Sequence, residues 1–439
     1  MTSDTPGIPA LEREVMRKIT RRLVPFLMLA YFISFVDRVN SGFAALQMNH
    51  DIGLSPAQFG FGAGIFYVSY VLFEVPSNLA MEKVGARLWI ARIMVTWGIV
   101  SIFMAAVVGP YSFYLVRFLL GLAEAGFFPG VILYLTYWFP SAYRGRIVAL
   151  FMVSIPVSSL IGSPISALLL QTDGWLGLHG WQWMFIIEAV PAVLLGIATL
   201  FVLPNGPAQA HWMRPEERTW LSERLALEGA RARTKAHMPV WDILKNKYVL
   251  TLAFVYAGSS GVSQALSLWQ PQMIKSFGLS TLAVGLLNGI PFAVASIAMV
   301  LWGRHSDRVG ERVWHTALPL ALSAVALGTA FWATSVTPFI VILCLTLIGT
   351  YAIKGPFWGL SSEWLAGTAA AAGIAQINAL GNFAGFIDSY LIGTIQDATG
   401  SYALALLPLV IIAAGGCLAV LWLGRSQVPA DAPAAGQAH

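Results

Sequence analysis

Asp37, Arg38, Arg117, Glu124, Lys354 and Asp388 all fall inside long apolar runs, where ionisable side chains are costly; Glu74 and Glu188 lie nearer the ends of two others. A charge at the centre of a membrane-spanning helix costs at least about 2.5–3.5 kcal/mol on insertion scales, so unneeded ones are rare. Asp37 and Arg38 are adjacent and point roughly 100° apart around a helix. Arg117 and Glu124 are seven apart and share a helix face about two turns from each other. Two acids and two bases on two helices make a near-neutral cluster. The plainer alternative is a network that only fixes helix packing, but buried ion pairs stabilise poorly. Arg38 offers a planar fork that takes a carboxylate through two hydrogen bonds. Asp37 and Glu124 are carboxylates whose protonation depends on whether an arginine stands beside them. Drawing Arg38 onto an anion therefore favours protonating the carboxylate it leaves. A proton symporter requires that coupling.

The second half of the chain contributes Gln264, Lys354, Trp358, Asn382 and Asp388. Lys354 has two readings: an ion pair with Asp388 across helices, or a second cation for a second substrate carboxylate. Trp358 follows one turn later, after the helix-loosening Gly355-Pro356. Asn382, between Gly381 and Gly385, suits hydrogen bonds to hydroxyls, and Gln264 reads equally as a helix-contact amide or a ligand. Tyr67 and Tyr70 share a face ahead of Glu74. Aromatic residues in spans more often pack or form an interface belt, the expectation for Trp175, Trp181 and Trp183. The pairs Gly121/Ala125 and Gly126/Gly130 are spaced for close helix contact. No catalytic residue, metal site or cofactor is expected: the histidines are scattered, Cys344 and Cys417 lie in apolar runs, and no phosphate-cradling Gly-Lys-Ser/Thr loop appears.

Apolar elements must hold these residues. Hydrophobic residues make up 57% of the 439 positions and charged residues 11%, against about 25% charged in ordinary globular chains. This composition excludes a soluble enzyme, and the net charge of +5 is distributed along loops rather than as a nucleic-acid patch. The expected fold is an all-α membrane protein with twelve transmembrane helices, at 23–47, 56–81, 88–108, 111–136, 146–170, 181–203, 249–274, 281–302, 313–333, 338–361, 369–395 and 401–424. Residues 11–22 are too charged for a signal peptide. Lys and Arg collect in the N-terminal segment and in every second loop: Lys83 and Arg87; Arg144 and Arg146; eight residues in 204–248; Arg304, Arg308 and Arg312. That pattern predicts both termini cytoplasmic. The loop near 362–368 has no basic residue, so the eleventh span is oriented by parity alone.

The polar stretch 204–248 divides the chain into six-helix halves, 1–203 and 249–425, followed by a tail from 426–439 expected to be disordered. Equal halves joined this way point to a duplicated transporter with its site between the halves, near the membrane midplane. The halves also share a loop. Glu82-Lys83-Val84-Gly85-Ala86-Arg87 follows the second span, and Gly303-Arg304-His305-Ser306-Asp307-Arg308-Val309-Gly310-Glu311-Arg312 follows the eighth. The plain reading is topology-setting charge; the alternative is a gating loop, centred on Gly303, Asp307 and Arg308, that latches helix ends in one conformation.

These features resemble the major facilitator superfamily, whose acidic-basic-glycine loop the second copy matches well; the first departs from it, with Asn78 and Glu82 where Gly and Asp are usual. Asp37-Arg38-Val39-Asn40, Arg117-Phe-Leu-Leu-Gly-Leu-Ala-Glu124-Ala-Gly-Phe-Phe-Pro129-Gly130 and Trp138-Phe-Pro resemble, more narrowly, its anion:cation symporter family. The resemblance covers nearly the whole chain. It implies proton-coupled uptake of an organic anion, with Asp37 and Glu124 as proton carriers, Arg117 partnering them and Tyr70 on the substrate side. The expected partners are therefore protons, a small organic anion and the lipid bilayer, for a monomer in a bacterial inner membrane.

Counting cations sharpens the substrate class. Arg38 supplies one, Arg117 is expected to be taken up by Glu124 on its own face, and Lys354 remains. A hydroxylated dicarboxylate, tartrate-like, would bridge Arg38 and Lys354. The alternatives are a sugar-acid monocarboxylate and, further off, a metabolite exporter. An intramembrane enzyme would want a His/Asp cluster at one depth, and the sequence has none.

Overall fold

The computed structural model describes residues 10–233, 245–364 and 368–426. The tail expected to be disordered falls outside them except for Ser426, as do the last residues of the linker's charged segment.

The first half contains α1 (Ala10–Asp51), α2 (Pro56–Val84), α3 (Ala86–Phe103), α4 (Pro110–Glu124), α5 (Phe127–Thr136), α6 (Ser141–Leu169) and α7 (Gly180–Val202). Helix α8 (Pro215–Arg233) belongs to the linker. The second half contains α9 (Lys247–Lys275), α10 (Thr281–Val309), α11 (Val313–Gly328), α12 (Val336–Ala352), α13 (Lys354–Trp364), α14 (Thr368–Thr399), α15 (Tyr402–Ala405) and α16 (Leu407–Ser426). Helices α4 with α5, α12 with α13, and α15 with α16 each form one passage, so the described residues make twelve. Lipid offers the backbone no hydrogen bonds, and helices satisfy their own. Eleven passages are apolar enough by composition to cross a membrane. Helix α14 is long enough at 32 residues, but Gln376, Asn378, Asn382 and Asp388 lower its hydropathy.

The first span is longer than expected. Helix α1 runs for 42 residues, roughly 63 Å, about twice the hydrocarbon thickness. The charged segment 11–22 is thus its projecting end, and the linker docks there. Lys18 donates to Glu217 at 2.8 Å and Arg214 Nη2 to Glu14 at 3.0 Å. Burial acts to raise the Glu217 carboxyl, but hydrogen bonds from Lys18 and Arg214 win and hold it below its ordinary value. The face of the protein carrying this junction is here the terminal face, and the opposite one the far face.

The halves meet where α1 packs on α9, α2 on α14 and α6 on α10. Glycines allow the approach: a Cβ on Gly42 would lie 2.6 Å from the Leu268 carbonyl oxygen, and one on Gly60 2.5 Å from that of Ser389. Near the far face, Asn49 bonds Gln272 at 3.4 Å, Ser55 bonds Asp397 at 2.9 Å and Asn288 bonds Ser163 at 2.8 Å across the halves. Toward the terminal face, Asn378 donates to Glu74 at 3.1 Å across the halves. Three of these four bonds lie near the far face.

Candidate functional site

In the first half, Arg38 reaches from α1 to the last residue of α4. Its Nε and Nη2 donate to Glu124 Oε1 at 2.8 and 2.6 Å, and Ser34 Oγ adds a third donor at 2.8 Å. Glu124 is 1% exposed. The expected pairing of Arg117 with Glu124 is not the one that forms. Two turns separate them by about 10.5 Å along the axis, and the helix breaks immediately after Glu124: Ala125 has ψ 130° and Gly126 is left-handed at φ 86°. Arg117 instead donates Nη1 to Ser41 Oγ at 3.1 Å and Nη2 to the Ala63 carbonyl at 2.9 Å. Asp37 points away from Arg38, as adjacent helical positions must, and accepts from Asn40 at 3.0 Å and Ser101 at 2.5 Å. The two acids therefore differ: Glu124 holds the arginine, while Asp37 sits among neutral donors.

Arg38 also opens onto a cavity of ≈ 80 Å³ between the halves. That is room for a few water molecules. The first half lines it with Tyr31, Arg38, Tyr67, Tyr70 and Ser159, and the second with Tyr256, Ser260, Gln264, Tyr351, Lys354, Asn378 and Asn382. The Arg38 guanidinium lies 5.1 Å from the Tyr70 ring and the Lys354 ammonium 4.4 Å from that of Tyr351, both within cation–π reach.

Of the two readings for Lys354, pairing with Asp388 is not made. Among the described residues Lys354 forms no ion pair with any acid. Asp388 is buried elsewhere, its Oδ2 against Gly261 of α9 and without a donor. Gln264 makes the helix contact, donating to Asn382 Oδ1 at 2.9 Å and Ser260 Oγ at 2.8 Å, and its side chain also lines the cavity. Trp358, expected at the substrate, stands behind the cavity wall. Its ring lies 5.0 Å from Tyr256, which faces the cavity in its place. The one-turn spacing from Lys354 gave the right side of the helix but could not show that α9 covers it.

The loop after α10, for which gating is one of two expectations, also has a definite geometry. Arg312 Nη1 donates to Asp307 at 2.7 Å and to Ser306 at 3.1 Å. A Cβ on Gly359 would come 3.1 Å from Arg312 Nε, and one on Gly355 3.7 Å from Gly303 Cα. Gly310, left-handed at φ 73°, caps α10. The loop thus ties α10 to α13 within one half; Arg308 is exposed.

Tyr31, Ser159, Ser260, Tyr256, Tyr351 and Asn378 were not singled out from the sequence. Asn378 and Asn382 had a legible signal, four apart on one helix face. The tyrosines and serines had none beyond being polar atoms within spans.

The family model described as Major Facilitator Superfamily matches residues 27–387. A chain from Agrobacterium vitis, named as a candidate tartrate transporter, is 54% identical over 393 residues, covering 90% of each chain. A quinolone resistance transporter from Acinetobacter baumannii is 40% identical over 402 residues, covering 91% of this chain and 93% of that one. The xylose transporter XylE from E. coli, in a partially occluded inward open conformation, superposes with TM-score 0.72 at 16% identity, covering 94% and 98% of the two chains.

Proposed function

The chain belongs to the Major Facilitator Superfamily, and we propose that it carries a small hydroxylated dicarboxylate, tartrate-like, together with protons by alternating access. One observation carries this reading. Two cations, Arg38 and Lys354, line the same cavity from opposite halves, and Lys354 pairs with no acid among the described residues. A bare ammonium is costly inside a membrane. A dianion would supply its partner and bridge the halves, so that closure depends on occupancy. The Agrobacterium relative's name agrees with this class.

Coupling runs through the Arg38–Glu124 pair. A substrate carboxylate competes with Glu124 for the guanidinium fork. When Arg38 turns to the substrate, Glu124 loses its counter-charge and takes up a proton. Asp37, surrounded by neutral donors, carries the other. Asn382 and Gln264 bind the hydroxyls, and the tyrosines wall the cavity. We place both termini in the cytoplasm on the strength of the basic loops, and the chain in a bacterial inner membrane as a monomer.

The test is uptake into proteoliposomes under an imposed pH gradient. Radiolabelled tartrate should accumulate, and Lys354→Met should weaken tartrate about tenfold or more than it weakens the tartrate monoamide, the scale of a lost charge-assisted bond. Equal losses for the two ligands would return the substrate to the monocarboxylate class. A second reading, efflux of a planar aromatic acid, draws on the five tyrosines of the cavity wall and on the quinolone resistance relative. Quinolone competition against tartrate would favour it.

A further inference from the structure

Glu188 on α7 is a buried acid that the substrate cavity does not use. It is 5% exposed. Its Oε1 accepts from Ser166 of α6 at 2.7 Å, its Oε2 has no donor, and among the described residues it forms no ion pair. An isolated carboxylate held there as an anion would be costly, whereas a neutral acid can supply its own donor.

Its neighbourhood is organised by α1. Positions 37, 40, 44, 47 and 51 alternate three- and four-residue steps and so fall on one face: Asp37, Asn40, Ala44, Gln47 and Asp51. This face packs on α6 and α7, away from the central cavity. On α7, Trp181 and Glu188 are seven apart and share a face in turn. Trp181 Nε1 donates to Asp51 at 2.9 Å, and Gln47 donates to the Leu170 carbonyl at 3.0 Å. Asn40 donates to Asp37 and also stands within hydrogen-bonding reach of Glu188, while Asp37 is close enough for its charge to act on Glu188. Gln47 Oε1 and Glu188 Oε2 are acceptors without donors on either side of the small Ala44. At the far face the stripe ends in a titratable cluster: His179 Nδ1 is 3.4 Å from Asp51 and 3.3 Å from Asp173, and His50 is 3.5 Å from Asp51. Asp37 is the charged group that α1 brings toward Glu188; α6 brings Ser166, and among the described residues no lysine or arginine on α1, α3 or α6 pairs with it.

We propose that Glu188 relays protons from the far face to Asp37 along this polar stripe, so that protons and substrate reach the site by separate routes. The inference rests on the symport reading above. A proton taken from water by the Asp51–His179–Asp173 cluster travels the roughly 10 Å between Trp181 and Glu188. It moves along water drawn in by the free acceptors Gln47 Oε1 and Glu188 Oε2, and Glu188 becomes the neutral acid. It then moves to Asp37, leaving Glu188 as the carboxylate ready for the next, and Asp37 releases it toward the terminal face.

Glu188→Gln keeps the side-chain size and the Ser166 hydrogen bond but cannot carry a proton. In proteoliposomes loaded with a pH-sensitive dye, tartrate counterflow should stay within about twofold of the unmodified protein, while pH-driven accumulation and tartrate-evoked lumen acidification fall about tenfold or more. Glu188→Asp should restore part of the proton flux and displace its pH profile, which a merely structural role would not do. Full proton-driven accumulation by Glu188→Gln, or equal loss of counterflow and accumulation, overturns the route. An unmodified protein that exchanges tartrate without moving protons overturns the symport reading, and the relay falls with it.

Discussion

The fourth and tenth passages hold equivalent places in the two halves, and both are interrupted next to a proline, yet the interruptions differ. In the fourth, α4 stops at Glu124 and Gly126 swings left-handed before Pro129. In the tenth, Ile353 keeps helical angles of −62° and −29°, and Pro356 merely withholds one backbone donor. The first break aims an acid at an arginine from another helix. The second begins a helix with Lys354 and leaves it facing the cavity without an acid. One half holds its arginine in an ion pair, and the other presents a cation with no acid beside it among the described residues.

The largest effect tests the stored pair. Glu124→Gln mimics the protonated acid, so exchange should persist while concentration against a gradient collapses to near equality across the membrane. Counterflow measured beside proton-driven uptake reads both; if both vanish together, the pair is structural and the contrast between the halves dissolves. Next comes the fork. Arg38→Lys keeps the charge but loses two-point binding, and tartrate affinity should fall about tenfold to a hundredfold. Unchanged affinity would move the anchor elsewhere. The smallest effect compares the breaks themselves. Gly126→Ala meets both a left-handed backbone and the Ser77 hydroxyl, and should destabilise by about 2–4 kcal/mol. Gly355→Ala meets only Gly303 Cα at 3.7 Å and should be neutral or stabilise by about 0.5–1 kcal/mol. Thermal unfolding in detergent orders them, and equal shifts would make the two breaks alike.

The passages and the terminal-face loops were legible because hydropathy and basic residues are local properties. Helix α14 was harder, since it carries the amides and Asp388 that the site and the α9 contact demand and has no basic loop before it. Which residues could do chemistry was also legible, because a charge in an apolar run is conspicuous. Their partners were not. Arg38 takes Glu124 because the fold brings those two residues of α1 and α4 to one level, and no spacing within one helix encodes that. Trp358 and Tyr256 exchanged places for the same reason: helix periodicity gives a face, and only packing says what covers it.

The two acids at the site, Asp37 and Glu124, also have an electrical consequence. If each carries one proton inward, a dianion crosses with no net charge and a monoanion crosses with one positive charge. Moving one charge through 100 mV is worth about 2.3 kcal/mol. The membrane potential would then leave accumulation of a dicarboxylate untouched and raise that of a monocarboxylate about fiftyfold, so the number of carboxylates on the cargo decides whether this protein responds to voltage at all.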